Sequence, residues 1–167
     1  MKIIALDGYT LDPGDNPWDE VSTLGDFSVY DRTEGASTIE RGKDADIIIT
    51  NKVPLTRLVL DQLPNLKFIT VTATGYDIVD GKAAEERGIP VSNVPVYGTE
   101  TVAQYVMSLV LQLARQPALH DRAVKQGEWS KQPYWSFWKT PLIELAGRTM
   151  GIVGFGNLHC HISQNEA

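Results

Sequence analysis

The chain has 167 residues, the size of one ordinary domain, and its 15 Lys and Arg against 21 Asp and Glu leave a formal charge of −6. That acidic balance disfavours a surface built for nucleic acid or anionic lipid, both of which attract positive patches. Hydrophobic residues at 43% and charged residues at 22% are ordinary for a globular chain and too apolar for a disordered one. No apolar run approaches the roughly 18 residues of a membrane span. The start, Met1 to Asp7, is too short an apolar run for a secretory core. Cys160 is the one cysteine, so a reduced, cytoplasmic setting is expected.

The first hundred residues alternate apolar runs with helical or turn segments. Ile3 to Leu6 has a buried-strand pattern, stopped by Asp7-Gly8. Phe27 to Tyr30 alternates with period two. Ala45 to Thr50 is β-branched and almost wholly apolar, as a central parallel strand is. Phe68 to Val71 repeats the theme, and Ile89-Pro90-Val91 is a brief last member. Between them, Thr56 to Leu63 and Asp80 to Arg87 read as short helices, ending before Pro64 and at Gly88. Strands alternating with helices predict an α/β fold whose parallel sheet is covered on both faces.

From Gly98 the pattern changes. Thr99 starts a helix in which Val102, Tyr105, Val106, Leu109, Val110 and Leu113 follow helical spacing. The helix is expected to run to about Gln126, kinked at Pro117. Trp129 to Trp138 is rich in aromatics with only Lys131 and Lys139 beside it. It is expected to pack against a domain or subunit face rather than stack on bases.

Thr149 to Asn157 reads as a strand entering a glycine turn, G-x-G at Gly154 and Gly156. In a dinucleotide fold the first glycine makes the turn, the second admits a pyrophosphate, and a helix N-terminus faces the phosphate charge. The third glycine of G-x-G-x-x-G belongs at 159, where His159 stands. No apolar stripe marks a following helix, and no acidic residue lies about 20 positions on. An ordinary glycine turn after a strand therefore stays open. His159, Cys160 and His161 crowd the tail; adjacent ligands rarely converge on one ion without a distant partner, so no metal site is assigned.

Three blocks carry a wider resemblance: V-T-A-T-G-Y-D-I-V-D at 71–80, G-I-P-V-S-N-V-P-V-Y-G-T-E-T-V-A-Q-Y at 88–105, and P-L-I-E-L-A-G-R-T-M-G-I-V-G-F-G-N at 141–157. In order and spacing the chain resembles the D-isomer-specific 2-hydroxyacid dehydrogenases, nearest the glycerate dehydrogenase and hydroxypyruvate reductase branch, over residues 1 to 158. The resemblance implies a flavodoxin-like substrate domain at 1–98. It implies the first helix and first strand of an incomplete Rossmann domain at 99–158, and a tail foreign to the family at 159–167. The activity implied is hydride transfer between NAD or NADP and a small 2-keto or 2-hydroxy acid, in a parent enzyme that pairs as a homodimer.

Thr74 and Gly75 match the loop whose backbone N–H groups hold the substrate carboxylate, and Lys52 lies in a loop that borders the substrate. Val102 matches a position beside the nicotinamide. Gly154, Gly156, Asn157 and Leu158 match the pyrophosphate turn. No counterpart of the family's catalytic arginine, glutamate or histidine is found, and His120 is expected to be a surface residue. The chain is accordingly expected to be a truncated or frameshifted form, inactive alone. The alternative is a non-catalytic module for binding small carboxylates or for dimerisation.

Overall fold

The computed structural model of the chain describes residues 1–154 and 156–164, without the side chains of His161, Ser163 and Gln164. Phe155, the end of the tail at 165–167 and the His161 side chain of the disfavoured metal set lie outside the described residues. The chain forms two compact units, Met1–Val96 and Tyr97–Ala167.

The first unit is a five-stranded parallel sheet in the order β2-β1-β3-β4-β5. Its strands are β1 (Lys2–Ala5), β2 (Asp26–Val29), β3 (Ile47–Thr50), β4 (Phe68–Val71) and β5 (Val91–Ser92). This order reverses direction between β1 and β3, which places the topological switch point at their carboxyl ends. Period-two alternation sorts the strand residues. Ile4, Leu6, Ile48, Ile69 and Val71 join one core cluster, while Ile3, Ala5 and Ile49 face the other way against Trp18, Val21 and Phe27.

Helices α1 (Asp19–Ser22), α2 (Ser37–Gly42), α3 (Arg57–Leu60) and α4 (Gly81–Glu86) connect the strands. The expected helix at 56–63 shortens to α3. Asp80 caps α4, its carboxylate accepting the Ala83 N–H at 2.9 Å. The last strand moves from 89–91 to 91–92 because Pro90 has no N–H for a ladder; its carbonyl still accepts from Ile69 at 3.0 Å.

In the second unit, α5 (Thr99–Arg115) and α6 (Pro117–Lys125) divide the single helix expected to reach Gln126. The break falls at Gln116, left-handed at φ 47°, with Pro117 opening the next helix where its missing N–H costs nothing. Two further expectations are corrected. Residues 149–153 form no strand: among the described residues no neighbouring strand offers them a hydrogen-bonding edge, and Val153 is 96% exposed. A helix does follow the glycine turn, α7 (Asn157–Gln164), and it packs on α5 with Ile162 buried. No helix among the described residues is long and apolar enough to cross a membrane.

At the amino edge of the sheet, Asp46 accepts from Lys67 Nζ and from the Lys2 backbone N–H, both at 2.7 Å. The Lys67 hydrogen bond first, then that of Lys2, holds its carboxyl below the ordinary value of 3.8. A carboxylate with a lowered folded-state pKa stabilises fully above its unfolded pKa and loses that contribution as pH falls through the folded one. Thermal melts of wild type and Asp46→Asn should therefore differ at neutral pH and converge as pH falls below 3.8.

Candidate functional site

The carboxyl ends of β3 and β4 carry the two loops singled out by sequence. Asn51, Lys52 and Val53 follow β3; Thr74 and Gly75 follow β4 after Thr72 and Ala73. The two loops are tied together. Thr72 N–H donates to Thr50 O at 2.9 Å, Leu55 N–H to Ile78 O at 2.9 Å, and Asp80 N–H to Leu55 O at 3.0 Å. Lys52 and Thr74-Gly75 thus share one edge of one sheet, at the ends of adjacent strands.

The loops differ in what their backbone donors do. After β3, the Asp7 carboxylate accepts the Asn51 N–H at 2.8 Å with one oxygen and the Lys52 N–H with the other. Val53 N–H goes to Thr50 Oγ1 at 3.2 Å. This loop's N–H groups are filled by the chain itself. After β4, Thr74, Gly75 and Tyr76 are exposed, and among the described residues their backbone N–H groups make no hydrogen bond, although the Asp77 carboxylate lies 3.3 Å from where a Cβ of Gly75 would be. The loop is nonetheless held. Thr74 Oγ1 donates to Val94 O at 3.0 Å, Asn93 Nδ2 to Thr74 O at 2.8 Å, and Val94 N–H to Ala73 O at 3.1 Å. Unpaired backbone N–H groups on a held loop are the kind of donors that bind anions. The Lys52 ammonium is exposed on the neighbouring loop, with no ion-pair partner among the described residues.

A cavity of about 340 Å³ opens beside the switch point, lined by Asp7, Arg32, Thr33, Glu34, Lys52 and Val53 among others. A larger one of about 630 Å³ lies between α4 and β5 and reaches Tyr76 and Asn93, but not Thr74 or Gly75. Asp7 is the residue that sequence reasoning missed. It appeared only as the stop of β1; the available signal was an acidic side chain directly after a central strand, at the switch point.

The second unit holds the other expected residues. Val102 lies in the first turn of α5, its N–H donating to Gly98 O at 2.9 Å and its side chain partly exposed. Gly154 has φ 113°, a conformation that suits glycine alone. Gly156, Asn157 and Leu158 lead into α7, whose first helical bond runs from Cys160 N–H to Gly156 O at 3.1 Å. The turn therefore has glycine conformation and a helix start, as a phosphate site requires. It differs in one respect: His159 Nδ1 accepts the Gly156 N–H at 3.3 Å. A Cβ at Gly154 would meet the same ring at 2.7 Å. The imidazole thus covers the glycine turn.

His120 is half-buried and structural, not simply superficial. Its Nδ1 bonds Gln116 O at 2.9 Å, its Nε2 accepts Lys139 N–H at 3.2 Å, and its ring lies 6.1 Å from that of Phe137. Acceptance at Nε2 assigns the proton to Nδ1. The aromatic segment is packed only in part. Trp129 Nε1 donates to Trp135 O at 3.1 Å, yet Trp135 is 89% exposed.

The family model for the D-isomer specific 2-hydroxyacid dehydrogenase catalytic domain matches residues 10–164, continuing past Leu158 into the segment set apart as a tail. A hydroxypyruvate reductase of Blautia hydrogenotrophica is 47% identical over 161 residues, covering 95% of this chain and 50% of the relative. A glycerate dehydrogenase of Methylorubrum extorquens is 35% identical, covering 94% and 49%. Among solved structures, an acyclic imino acid reductase in complex with NADPH and D-Arg aligns with a TM-score of 0.74 at 25% identity, over 99% of this chain and 52% of that one. A D-lactate dehydrogenase from Aquifex aeolicus complexed with NAD and lactic acid shares the fold, with a TM-score of 0.76 at 21% identity over 99% and 48%. The chain spans about half the length of the curated relatives it matches.

If Asp7 is what holds the loop after β3, Asp7→Ala should leave the Asn51 and Lys52 amides unprotected. Amide exchange at these two positions should accelerate, by about tenfold for each 1.4 kcal/mol lost. The Thr72 amide, bonded to Thr50 O, should keep its protection.

Proposed function

The chain belongs to the D-isomer specific 2-hydroxyacid dehydrogenase family, and from that membership we propose that its first unit is the carboxylate-holding half of a 2-keto acid reductase. Residues 1–98 serve as the substrate domain and 99–158 as the start of the nucleotide domain. The reaction is hydride transfer between NAD or NADP and a 2-keto acid of the hydroxypyruvate or glyoxylate kind. When bound, the nicotinamide supplies or accepts the hydride.

The observation that carries this reading is the contrast between the two loops at the sheet's carboxyl edge. Thr74, Gly75 and Tyr76 present open N–H groups on a fixed loop, while Asp7 has consumed those of Asn51 and Lys52. A substrate carboxylate takes the open donors. A hydrogen bond to a charged group contributes about 1.5–3 kcal/mol. An exposed lysine contributes about 0.2–1 kcal/mol. Backbone donors therefore dominate binding, and Lys52 adds attraction from the side.

In the second unit, Val102, Gly154, Gly156, Asn157 and Leu158 form the chain's contribution to the cofactor site. No residue is assigned the proton transfer. His120 has both ring nitrogens engaged in its own unit, so the described residues bind and orient but do not complete catalysis. Pairing of copies through the second unit would cover the apolar side chains it exposes, Leu113 at 76% among them.

Titrating the isotope-labelled chain with glyoxylate should move the amide signals of Thr74, Gly75 and Tyr76 saturably, and Lys52→Ala should weaken the affinity about two- to fivefold. Saturable shifts elsewhere, with these three amides still, would rule the assignment out. NADH mixed with hydroxypyruvate and the 167-residue chain should keep its absorbance.

A further inference from the structure

We propose that His159 is a built-in occupant of the glycine turn, so that a phosphate binds there only by displacing its imidazole. The proposal rests on the reading of Gly154 to Leu158 as the cofactor's phosphate turn and goes beyond it, because it concerns a side chain that the glycine pattern does not contain.

The argument begins with helix geometry. The Cys160 N–H bonds Gly156 O, which makes Gly156 the N-cap of α7 and His159 the third helical residue. Helical side chains lean back toward the N-terminus, so a long polar group at this third position reaches the N-cap N–H. Glutamate and glutamine do this in the capping box, satisfying a donor that the helix cannot. Here the imidazole does it: Nδ1 accepts the Gly156 N–H at 3.3 Å. The ring comes to rest over Gly154, where a Cβ would lie 2.7 Å from Cε1 and 2.8 Å from Nε2. Two glycines that would let a pyrophosphate approach the backbone let a histidine approach it instead.

The same contact accounts for a helix that starts here with histidine, not glycine, at 159. A glycine at 159 would leave the Gly156 N–H for a ligand and give α7 no internal cap. Histidine supplies the cap and takes the donor. The residues present therefore do not accept a phosphate in the arrangement seen. The ring must rotate away, and the ligand must offset the lost hydrogen bond.

Titration of the labelled full chain with NADH, followed at the Gly156 amide and the His159 ring protons, tests this. In wild type the two sets of signals should move together with a common midpoint, because binding expels the ring. His159→Ala should shift the Gly156 amide at about three- to tenfold lower NADH. His159→Glu should keep α7, since glutamate suits this position, and should show no Gly156 response, because a carboxylate both fills the turn and repels phosphate. Its helix content can be confirmed by circular dichroism. Equal midpoints for wild type and His159→Ala would overturn the displacement, as would a wild-type Gly156 shift with a stationary ring, or binding by His159→Glu as tight as by wild type. If no variant responds at Gly156, the cofactor reading of the turn falls and the displacement with it.

Discussion

The Asp7 carboxylate decides which backbone donors at the carboxyl edge of the sheet remain available. A parallel sheet ends in loops whose N–H groups have run out of strand partners. In this chain the loop after β3 is closed by a side chain from the end of β1, 44 positions earlier in sequence. Closing it rigidifies the base on which the loop after β4 is mounted, through the Leu55–Ile78 and Asp80–Leu55 hydrogen bonds. The open N–H groups of Thr74 to Tyr76 stand out because those of the neighbouring loop are taken. The contrast between a closed loop and an open one is what the proposed carboxylate site rests on.

The sheet itself was legible in sequence where burial is symmetric. β3 and β4 are central strands, and the β-branched runs within 45–50 and 68–71 leave little alternative to a parallel, doubly covered position. Helix α4 was legible through Asp80 and Gly88, local signals that act within a few residues. Lys52, Thr74 and Gly75 could be placed at loop positions by resemblance and pattern. The division of labour between the loops could not, because it depends on Asp7, whose partners are far away along the chain. Range in sequence, not chemical subtlety, hid this residue.

The second unit shows the opposite failure. Its misread elements, 149–153 and α7, are local. The apolar pattern at 149–153 predicts a strand, but a strand needs a hydrogen-bonding partner, and the described residues supply none. For α7 the missing apolar stripe argued against a helix, and the cap that His159 supplies from the third helical position was not read from the sequence. The cap won: a hydrogen bond at the start of a helix satisfies a donor that otherwise has none, and Ile162 against the rest of the unit needs no full stripe.

Both units therefore settle the same problem, orphan N–H groups beside glycine or strand ends, with the chain's own acceptors. The energetic meaning differs. Asp7 is a carboxylate accepting two N–H groups at once, and charge-assisted hydrogen bonds are roughly twice as strong as neutral ones. His159 offers one ring nitrogen at 3.3 Å, near the long end of a hydrogen bond, from a side chain with only two torsions to turn. The first contact behaves as structure, because a passing carboxylate cannot better it. The second is an arrangement that a pyrophosphate, with several charged oxygens and the N-terminus of α7 to face, is chemically equipped to outcompete. Judged by hydrogen bonds alone, the N–H groups of the loop after β4 stand open, while that of Gly156 is already taken by His159.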